Sequence, residues 1–457
     1  MLAWGRTILA CVLLASTPGF GQSQEPLERQ MEKLPDLEIP DDLPAPILPP
    51  DPLIVPRSPK TGALQLTVQQ AVELCWQDNP EGRAADSRVK QAYWSFHAAA
   101  SPPSASVNLG TWQGNGQALL NGNYISENRA DYYIQLVQPF WPLGSLKTSR
   151  RVAYKDYTVA LANAKSVRVK LAQQVKDGFF LQVANQQRLQ VAEQNLLFAE
   201  SIYAIARTRF QDGAGPKIDL INAGIQRNRA EQDRILARAA FLQARDRLCP
   251  LLGVAAHTEV DCLGGLENPP LTLVYEVLAD LARNNPRIRM AEETLERTRH
   301  ATVLASQANN VTPTVSVAYD IVRPSYLVQM QLNIPLDWGR VRNDTRKHIE
   351  MEREQEAHLQ VARLAVSSDL KAAFDNYQGA YLATSNYREK VLSPTEEMTR
   401  ITQYGYTRGA IPYLQLLSTQ QTLASVRRDY IDLQLSVQLA LNALEAAVGR
   451  SLGSGPL

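Results

Sequence analysis

The sequence predicts a mainly α-helical protein with a small membrane β part, built from long coiled-coil helices and four strands in two internal repeats. Residues 326–334 alternate apolar and polar side chains with the period of a strand, over about the length of a tilted membrane-crossing strand. The chain then changes to a helical period and keeps it over most of its remaining length. For one strand alone, a half-buried strand of a soluble sheet is the alternative interpretation.

The strand over residues 326–334 separates an apolar face from an amide-rich face. Four side chains are predicted to face lipid: Val328, Met330, Leu332 and Ile334. Four amide side chains, one of them on an earlier strand, are predicted to line a water-filled lumen: Gln135, Gln329, Gln331 and Asn333. Pro335 ends the strand, and Trp338 follows at the position of an interfacial aromatic residue.

Residues 1–21 are predicted to be a signal peptide. Arg6 precedes an apolar run, and small residues precede Gln22. Cys11 lies in a segment similar to a lipoprotein cleavage site, but it comes so early that ordinary cleavage is expected. No later stretch approaches the roughly 18 apolar residues of a membrane helix, so strands are the expected means of crossing a membrane.

The net charge of +1 and the lack of a basic tract give no indication of nucleic-acid binding. Residues 22–62 are rich in proline, which disfavours both helices and strands, so they are predicted to form an extended linker. The predicted organisation continues with a first repeat over 63–253, a linker over 254–270, a second repeat over 271–449 and a tail over 450–457.

Matching motifs in the same order predict the two repeats. Asn79 and Pro80 close a short helical pattern, as Asn285 and Pro286 do later in the chain. Gly213 and Gly409 each lie in a turn between helices, and each is followed 40 residues later by a second glycine that ends a helix. Several matches in one order are typical of a duplication.

Each repeat is predicted to contain two strands followed by a long helix. The first has strands near 105–112 and 131–139, separated by a polar loop over 115–129, and a helix near 145–212. The second has strands near 314–321 and 326–334 and a helix near 340–408. Heptad spacing in these helices is typical of a coiled coil, and an exported coiled-coil scaffold without a pore is therefore the alternative.

No catalytic, metal-binding or cofactor-binding pattern is present in the sequence. The five histidines lack metal-binding spacing, and no nucleophile or phosphate-binding motif occurs. We therefore expect no enzymatic activity and no cofactor. Cys249 and Cys262 are close enough in sequence to form a disulfide, but two unpaired thiols are equally consistent with this spacing.

Four strands are too few to close a membrane barrel, which needs about 8 or more. Open strand edges are not tolerated in lipid, so several chains must combine their strands. The helices would combine in the same way into a tube. The amide-rich strand faces would then line a wet lumen, which predicts a channel.

The chain resembles the outer membrane efflux protein family, the TolC-like outer membrane channels, over roughly residues 66–449. The resemblance rests on the duplicated order of elements and on a motif of Gly213 followed by Asp219 and Leu220. It also rests on Pro139 and Pro335, each of which closes a strand in a matching context.

This resemblance implies a homotrimer with a twelve-stranded barrel in the outer membrane of a Gram-negative-type bacterium and a periplasmic α-barrel. The duct would dock on a periplasmic adaptor and an inner-membrane pump of a tripartite efflux or type I secretion system. Drugs, metals or secreted proteins would pass through it passively.

The resemblance also implies that the two helix-reversing turns are adaptor-docking tips. The residues concerned are Gly213, Pro216, Asp219, Leu220, Gly409, Pro412, Gln415 and Leu416. Gln415 stands where the first repeat has an acid, so the two tips differ chemically. Simple turn chemistry is the alternative explanation of these residues.

Glu396 and Glu397 precede the second tip and predict a ring of carboxylates in a trimer, if they face the lumen. Arg400 and Tyr404 lie nearby and complete the candidate gate. A solvated helix surface is the alternative.

Overall fold

The computed structural model describes residues 64–120, 123–213, 215–255, 258–266, 274–321, 325–408 and 410–452. The first half contains β1 (Leu64–Leu66), α1 (Val68–Asp78), α2 (Pro80–Ala100), β2 (Ser106–Leu120), β3 (Asn123–Pro139), α3 (Ser145–Gln211) and α4 (Lys217–Leu252). The second half contains β4 (Val260–Cys262), α5 (Tyr275–Ala282), α6 (Pro286–Ser306), a 3₁₀ turn (Gln307–Asn309), β5 (Thr312–Asp320), β6 (Ser325–Asn333), α7 (Trp338–Tyr387), a π-helical turn (Arg388–Leu392), α8 (Ser393–Thr407) and α9 (Tyr413–Val448).

The described chain is mostly helical, in agreement with the predicted class. Within the described residues, no helix combines the length and the apolar composition needed to cross a bilayer. The predicted signal peptide, the proline-rich linker and Cys11 lie outside the described residues.

Four antiparallel strands form one sheet in the order β2-β3-β5-β6. The polar loop predicted over residues 115–129 is wrong, because β2 and β3 stay paired from Ser106 opposite Val137 to Leu120 opposite Asn123. Polar composition indicates contact with water, but it does not prevent an antiparallel pair from satisfying its backbone hydrogen bonds. β2 and β6 are the two edges of the sheet.

The long helices differ between the two halves. α3 runs without interruption for 67 residues, which corresponds to roughly 100 Å. The second predicted long helix, near 340–408, is instead divided by the π-helical turn Arg388–Leu392. Two features interrupt the regular helical hydrogen bonds at this turn. Pro394 has no amide proton to donate to the carbonyl one turn back. The Thr395 hydroxyl donates to the Val391 carbonyl at 2.6 Å.

The asparagine of each Asn-Pro motif caps the start of a helix, α2 for Asn79 and α6 for Asn285, and Asn79 also caps the end of α1. Asn79 Oδ1 accepts from the amides of Glu81 and Gly82, while its Nδ2 donates to the Leu251 carbonyl at 2.8 Å. Asn285 repeats the arrangement by donating to the Ala447 carbonyl at 2.8 Å. The motif therefore joins the start of each half to the end of its last helix, which sequence spacing alone did not predict.

The cysteines of the described chain are free thiols, so the Cys249–Cys262 disulfide does not form in this structure. Cys75, Cys249 and Cys262 are buried in one hydrophobic core shared by α1, α3, α4 and β4. Burial raises the pKa of Cys75 to about 11 and that of Cys262 to about 12. These thiols consequently stay protonated and act as small apolar side chains.

Candidate functional site

The amide side chains predicted to line a lumen share one face of the sheet. Gln329 lies opposite Ser316, and Gln331 lies opposite Thr314. Residues directly opposite each other in an antiparallel sheet point to the same face. By the same register, Asn333 and Gln135 also lie on this face, together with Asp320 at the far end of β5.

The opposite face of the sheet is apolar and exposed in the protomer. Val107, Leu136, Val317 and Val328 form one row across all four strands. The exposed fraction is 63% for Val328 and 69% for Met330 on the same strand. Leu332 and Ile334 continue this line toward the end of β6. A sheet with one wet face and one exposed apolar face is typical of a membrane barrel wall.

The first helix-reversing turn connects α3 to α4. Gly213 adopts φ = 72°, a left-handed conformation that favours glycine. Pro216 precedes α4, and the Asp219 amide donates to the Pro216 carbonyl at 3.1 Å. The Asp219 carboxylate lies in the first turn of α4, where it complements the positive end of the helix dipole. Leu220 is half-buried beside it.

The second turn connects α8 to α9 and repeats the backbone geometry of the first. The Gln415 amide donates to the Pro412 carbonyl at 3.2 Å, as the Asp219 amide does to Pro216. Gln415 is exposed and Leu416 is buried, whereas Gly409 lies outside the described residues. The two turns therefore share a backbone form but present different side chains.

Both turns meet in a hydrophobic cluster, which we term the tip cluster. Its buried members are Ile202, Ala206, Ala223, Tyr406, Tyr413 and Leu416. The Arg209 guanidinium lies 4.8 Å from the centre of the Tyr406 ring and donates to the Tyr406 carbonyl at 3.4 Å. The ends of α3 and α8 are thus in direct contact.

Electrostatics inside the tip cluster also connects the two turns. Burial raises the pKa of Tyr413 to about 12, with smaller contributions from Tyr406 and from the Asp219 carboxylate. Burial likewise raises the pKa of Tyr406, against the opposing effect of Arg209. The sequence did not single out Tyr413 or Arg209. Their position in the sequence could have identified them, because both lie within four residues of the predicted turns.

The four candidate gate residues form separate pairs in the protomer. Glu396 bonds to Arg427 of α9 at 3.0 Å, and Arg427 also reaches Gln194 of α3 at 3.4 Å. Glu397 pairs with Arg400 at 2.8 Å within α8. Both carboxylates are therefore neutralised within the chain.

Tyr404, the remaining gate candidate, lies against the Arg408 guanidinium, 4.2 Å from its ring centre. Of the gate pairs, only that of Glu396 joins different helices.

The described residues include no group of acidic, histidine or cysteine side chains placed to hold a metal ion.

Comparison with known proteins identifies the family. The profile of the family described as outer membrane efflux protein matches residues 72–254 and 277–450, most of the chain. The chain belongs to this family. An outer membrane efflux protein is a passive channel in the outer membrane of Gram-negative bacteria, with a large periplasmic helical part. It is not an enzyme, and the channel interpretation is supported over the pore-less scaffold.

Curated relatives match over most of their length. The cobalt-zinc-cadmium resistance protein CzcC of Cupriavidus metallidurans is 22% identical over 67% of this chain and 75% of CzcC. The pyoverdine export outer membrane protein OpmQ of Pseudomonas putida is 23% identical over 84% of this chain and 85% of OpmQ.

Solved channels have the same fold. The CmeC outer membrane channel of Campylobacter jejuni superposes with a TM-score of 0.71 at 12% identity, covering 85% of this chain and 87% of CmeC. CusC superposes with a TM-score of 0.70 at 18% identity, covering 84% of this chain and 92% of CusC.

Proposed function

We propose that three copies of this outer membrane efflux protein combine their four-stranded sheets into one twelve-stranded barrel. The observation that carries this proposal is the open sheet with an apolar face, an amide face and two free edges at β2 and β6. Unpaired backbone groups on these edges would be prohibitively costly in lipid. Pairing of β6 in one copy with β2 in the next removes every edge.

The helices of the three copies would form a periplasmic duct below the barrel. The match of the family profile to each half of the chain supports a duplicated protomer with repeats near 63–253 and 271–449. Duplication would surround the lumen with six similar helical units. Transport through such a duct is passive, and a partner pump would supply the energy.

The amide face of the sheet is proposed to line the lumen. Amide and hydroxyl groups such as Gln331 and Thr314 provide a polar wall that binds no particular substrate class strongly. The names of CzcC and OpmQ refer to metal resistance and pyoverdine export, respectively. We infer that the pump and adaptor, rather than this lumen, select the substrate.

The two turns are proposed to dock on a periplasmic adaptor that also contacts an inner-membrane pump. Exposed apolar side chains flank both turns: Ile218 is 58% exposed and Leu414 is 71% exposed. Side chains of this kind beside a rigid turn are suited to a protein partner. Position 219 of the first turn carries a carboxylate and the matching position 415 of the second carries a neutral amide, so the two tips would recognise different adaptor positions.

The contact of Glu396 with Arg427 is proposed to hold the periplasmic end closed at rest. It joins α8 to α9, and Arg427 extends the connection to α3. Opening would separate α8 from these neighbours. The gate is thus built on paired charges rather than on repulsion between free carboxylates.

Expression with residues 1–62 intact, membrane fractionation and planar-bilayer recording test the proposal. We expect the protein in the outer membrane fraction and discrete conductance steps after detergent extraction. Recovery of a soluble periplasmic protein without conductance would contradict the barrel and favour a coiled-coil scaffold.

A further inference from the structure

Both long helices that follow the sheet begin with a concentration of basic side chains. We term this set the basic collar, and it consists of Lys147, Arg150 and Arg151 on α3 and Arg340, Arg342, Arg346 and Lys347 on α7. Five of the seven are exposed, and Arg150 and Arg151 are half-buried. The whole chain carries a net charge of only +1, so this is a local excess.

The position of the basic collar is unfavourable for an isolated helix. The beginning of a helix carries a partial positive charge, which favours acidic rather than basic side chains. α3 has no acidic residue in its first turn, and at α7 the acid nearest this end is the N-cap Asp337, which accepts from the Arg340 amide at 3.3 Å and offsets part of the positive charge. An external anion would compensate for this excess of positive charge.

The four basic side chains of the collar on α7 receive only weak compensation from carboxylates of the described chain. Arg340 lies 3.9 Å from Asp344, and both side chains are more than half exposed. No described carboxylate is within ion-pair distance of Arg342, Arg346 or Lys347. Farther along, Arg299 pairs with Glu352 at 3.2 Å and Arg363 pairs with Glu292 at 3.0 Å. Unpaired cations therefore concentrate at the end of α7 beside the sheet.

A second observation places the collar at the edge of an apolar band. Leu336 is 77% exposed and Trp338 is 63% exposed, and they continue the apolar line of β6 into α7. Phe140 and Leu143, 40% and 58% exposed, precede α3 in the same way. Exposed tryptophan and apolar residues followed by cations are typical of a membrane–water interface.

We propose that the basic collar binds the phosphate groups of anionic phospholipids in the periplasm-facing leaflet of the outer membrane. The inference rests on the proposed barrel, since the sheet must cross the membrane for the collar to reach headgroups. Arginine and lysine within a Debye length of an anionic lipid surface are attracted to it. The collar would then fix the depth of the barrel in the membrane.

The test measures lipid preference with the intact protein reconstituted in bilayers. Brominated phosphatidylglycerol and brominated phosphatidylcholine quench the fluorescence of nearby tryptophans, and Trp338 lies beside the collar. The variant is R342Q/R346Q/K347Q. The matched control is R83Q/R238Q/R247Q, which removes three exposed arginines from α2 and α4, away from the ends that adjoin the sheet.

We expect wild type and control to prefer phosphatidylglycerol about fivefold at low salt, the scale set by one basic side chain near an anionic surface. The ratio should approach one in the collar variant and in wild type at high salt. Equal lipid preference in wild type and collar variant would overturn the inference. So would a collar variant whose pore changes its ion selectivity while its lipid preference stays that of wild type.

Failure of the inference and failure of the barrel give different results. The conductance of the wild-type protein reports on the barrel before any lipid is compared. A conducting wild-type channel without lipid preference contradicts the collar alone. A wild-type protein that does not insert contradicts the proposed barrel, and the collar with it.

Discussion

Two glycines that follow long helices, Gly213 and Gly253, adopt the left-handed backbone conformation. Gly253 adopts φ = 76°, and a Cβ atom there would lie 2.5 Å from the Asp78 carbonyl oxygen. Gly213 has a similar φ of 72°, but a Cβ atom there would meet nothing within 4 Å. An alanine would be strained by the left-handed conformation at both positions, but it would overlap sterically with a neighbour only at Gly253. Comparing the two substitutions therefore separates the two effects.

We expect Gly253→Ala to lower the free energy of unfolding by about 1–3 kcal/mol more than Gly213→Ala does. Gly213→Ala itself should cost about 1 kcal/mol, because only the left-handed conformation is strained. Denaturant unfolding of the extracted protein, followed by circular dichroism, measures both. Equal destabilisation of the two variants would show that the contact with Asp78 is not tight.

Tyr413 gives the tip cluster a dependence on alkaline pH. Its pKa is near 10 in the unfolded chain and about 12 when folded, so the unfolded chain loses this proton first as pH rises. We expect stability to fall between pH 10 and pH 12, by up to about 1.4 kcal/mol per pH unit from this group.

Tyr413→Phe should remove this contribution to the pH dependence of the free energy of unfolding. Tyr404→Phe, at a 57% exposed position, serves as the control. Chemical unfolding at several pH values measures the difference. Unchanged slopes in Tyr413→Phe would contradict burial of that hydroxyl.

Some residue roles followed from the sequence and others did not. The alternation of Gln329 and Gln331 with Val328 and Met330 predicts two faces because a strand has a period of two. The contact between Arg209 and Tyr406 joins residues 197 positions apart, and no periodicity in the sequence records such a pair. Long-range contacts of this kind depend on how the two halves pack.

At the scale of elements, an ion pair joins α8 to α9 in addition to their packing in the tip cluster. Glu396 and Arg427 are 46% and 35% exposed, so their pair is worth about 0.2–1 kcal/mol. We expect Arg427→Gln to raise the open probability of the resting channel by up to about fivefold. Single-channel recording in planar bilayers measures this effect.

Arg400→Gln is the matched control, since it removes a cation whose partner, Glu397, lies within the same helix. It should leave the open probability unchanged. The same change in both variants would mean that general surface charge, rather than the contact between α8 and α9, sets the resting state.

Element boundaries were predicted well where periodicity is strong and poorly where it is weak. α3 spans Ser145–Gln211 against the predicted 145–212, because glycines in the left-handed conformation, Gly144 and Gly213, lie just outside its two ends. The hairpin of β2 and β3 extends through a stretch that composition alone assigns to a loop. The π-helical turn near Arg388 also has no periodic signal, since it adds a single residue to an otherwise regular helix.

At the scale of the whole molecule, the protomer is incomplete as a membrane structure. Its sheet exposes apolar side chains such as Leu109 and Val328 on one face and leaves the outer edges of β2 and β6 unpaired. The sequence predicts this incompleteness, because four strands cannot close a barrel. The sequence does not predict which residues of β6 pair with which residues of β2 in another copy, since that pairing forms only on assembly.

The mass of the complex extracted from the outer membrane tests the central claim most directly. Native mass spectrometry in detergent, with the signal peptide processed by the cell, should give three times the mass of one mature chain. A monomer or dimer that conducts no ions would contradict the shared barrel.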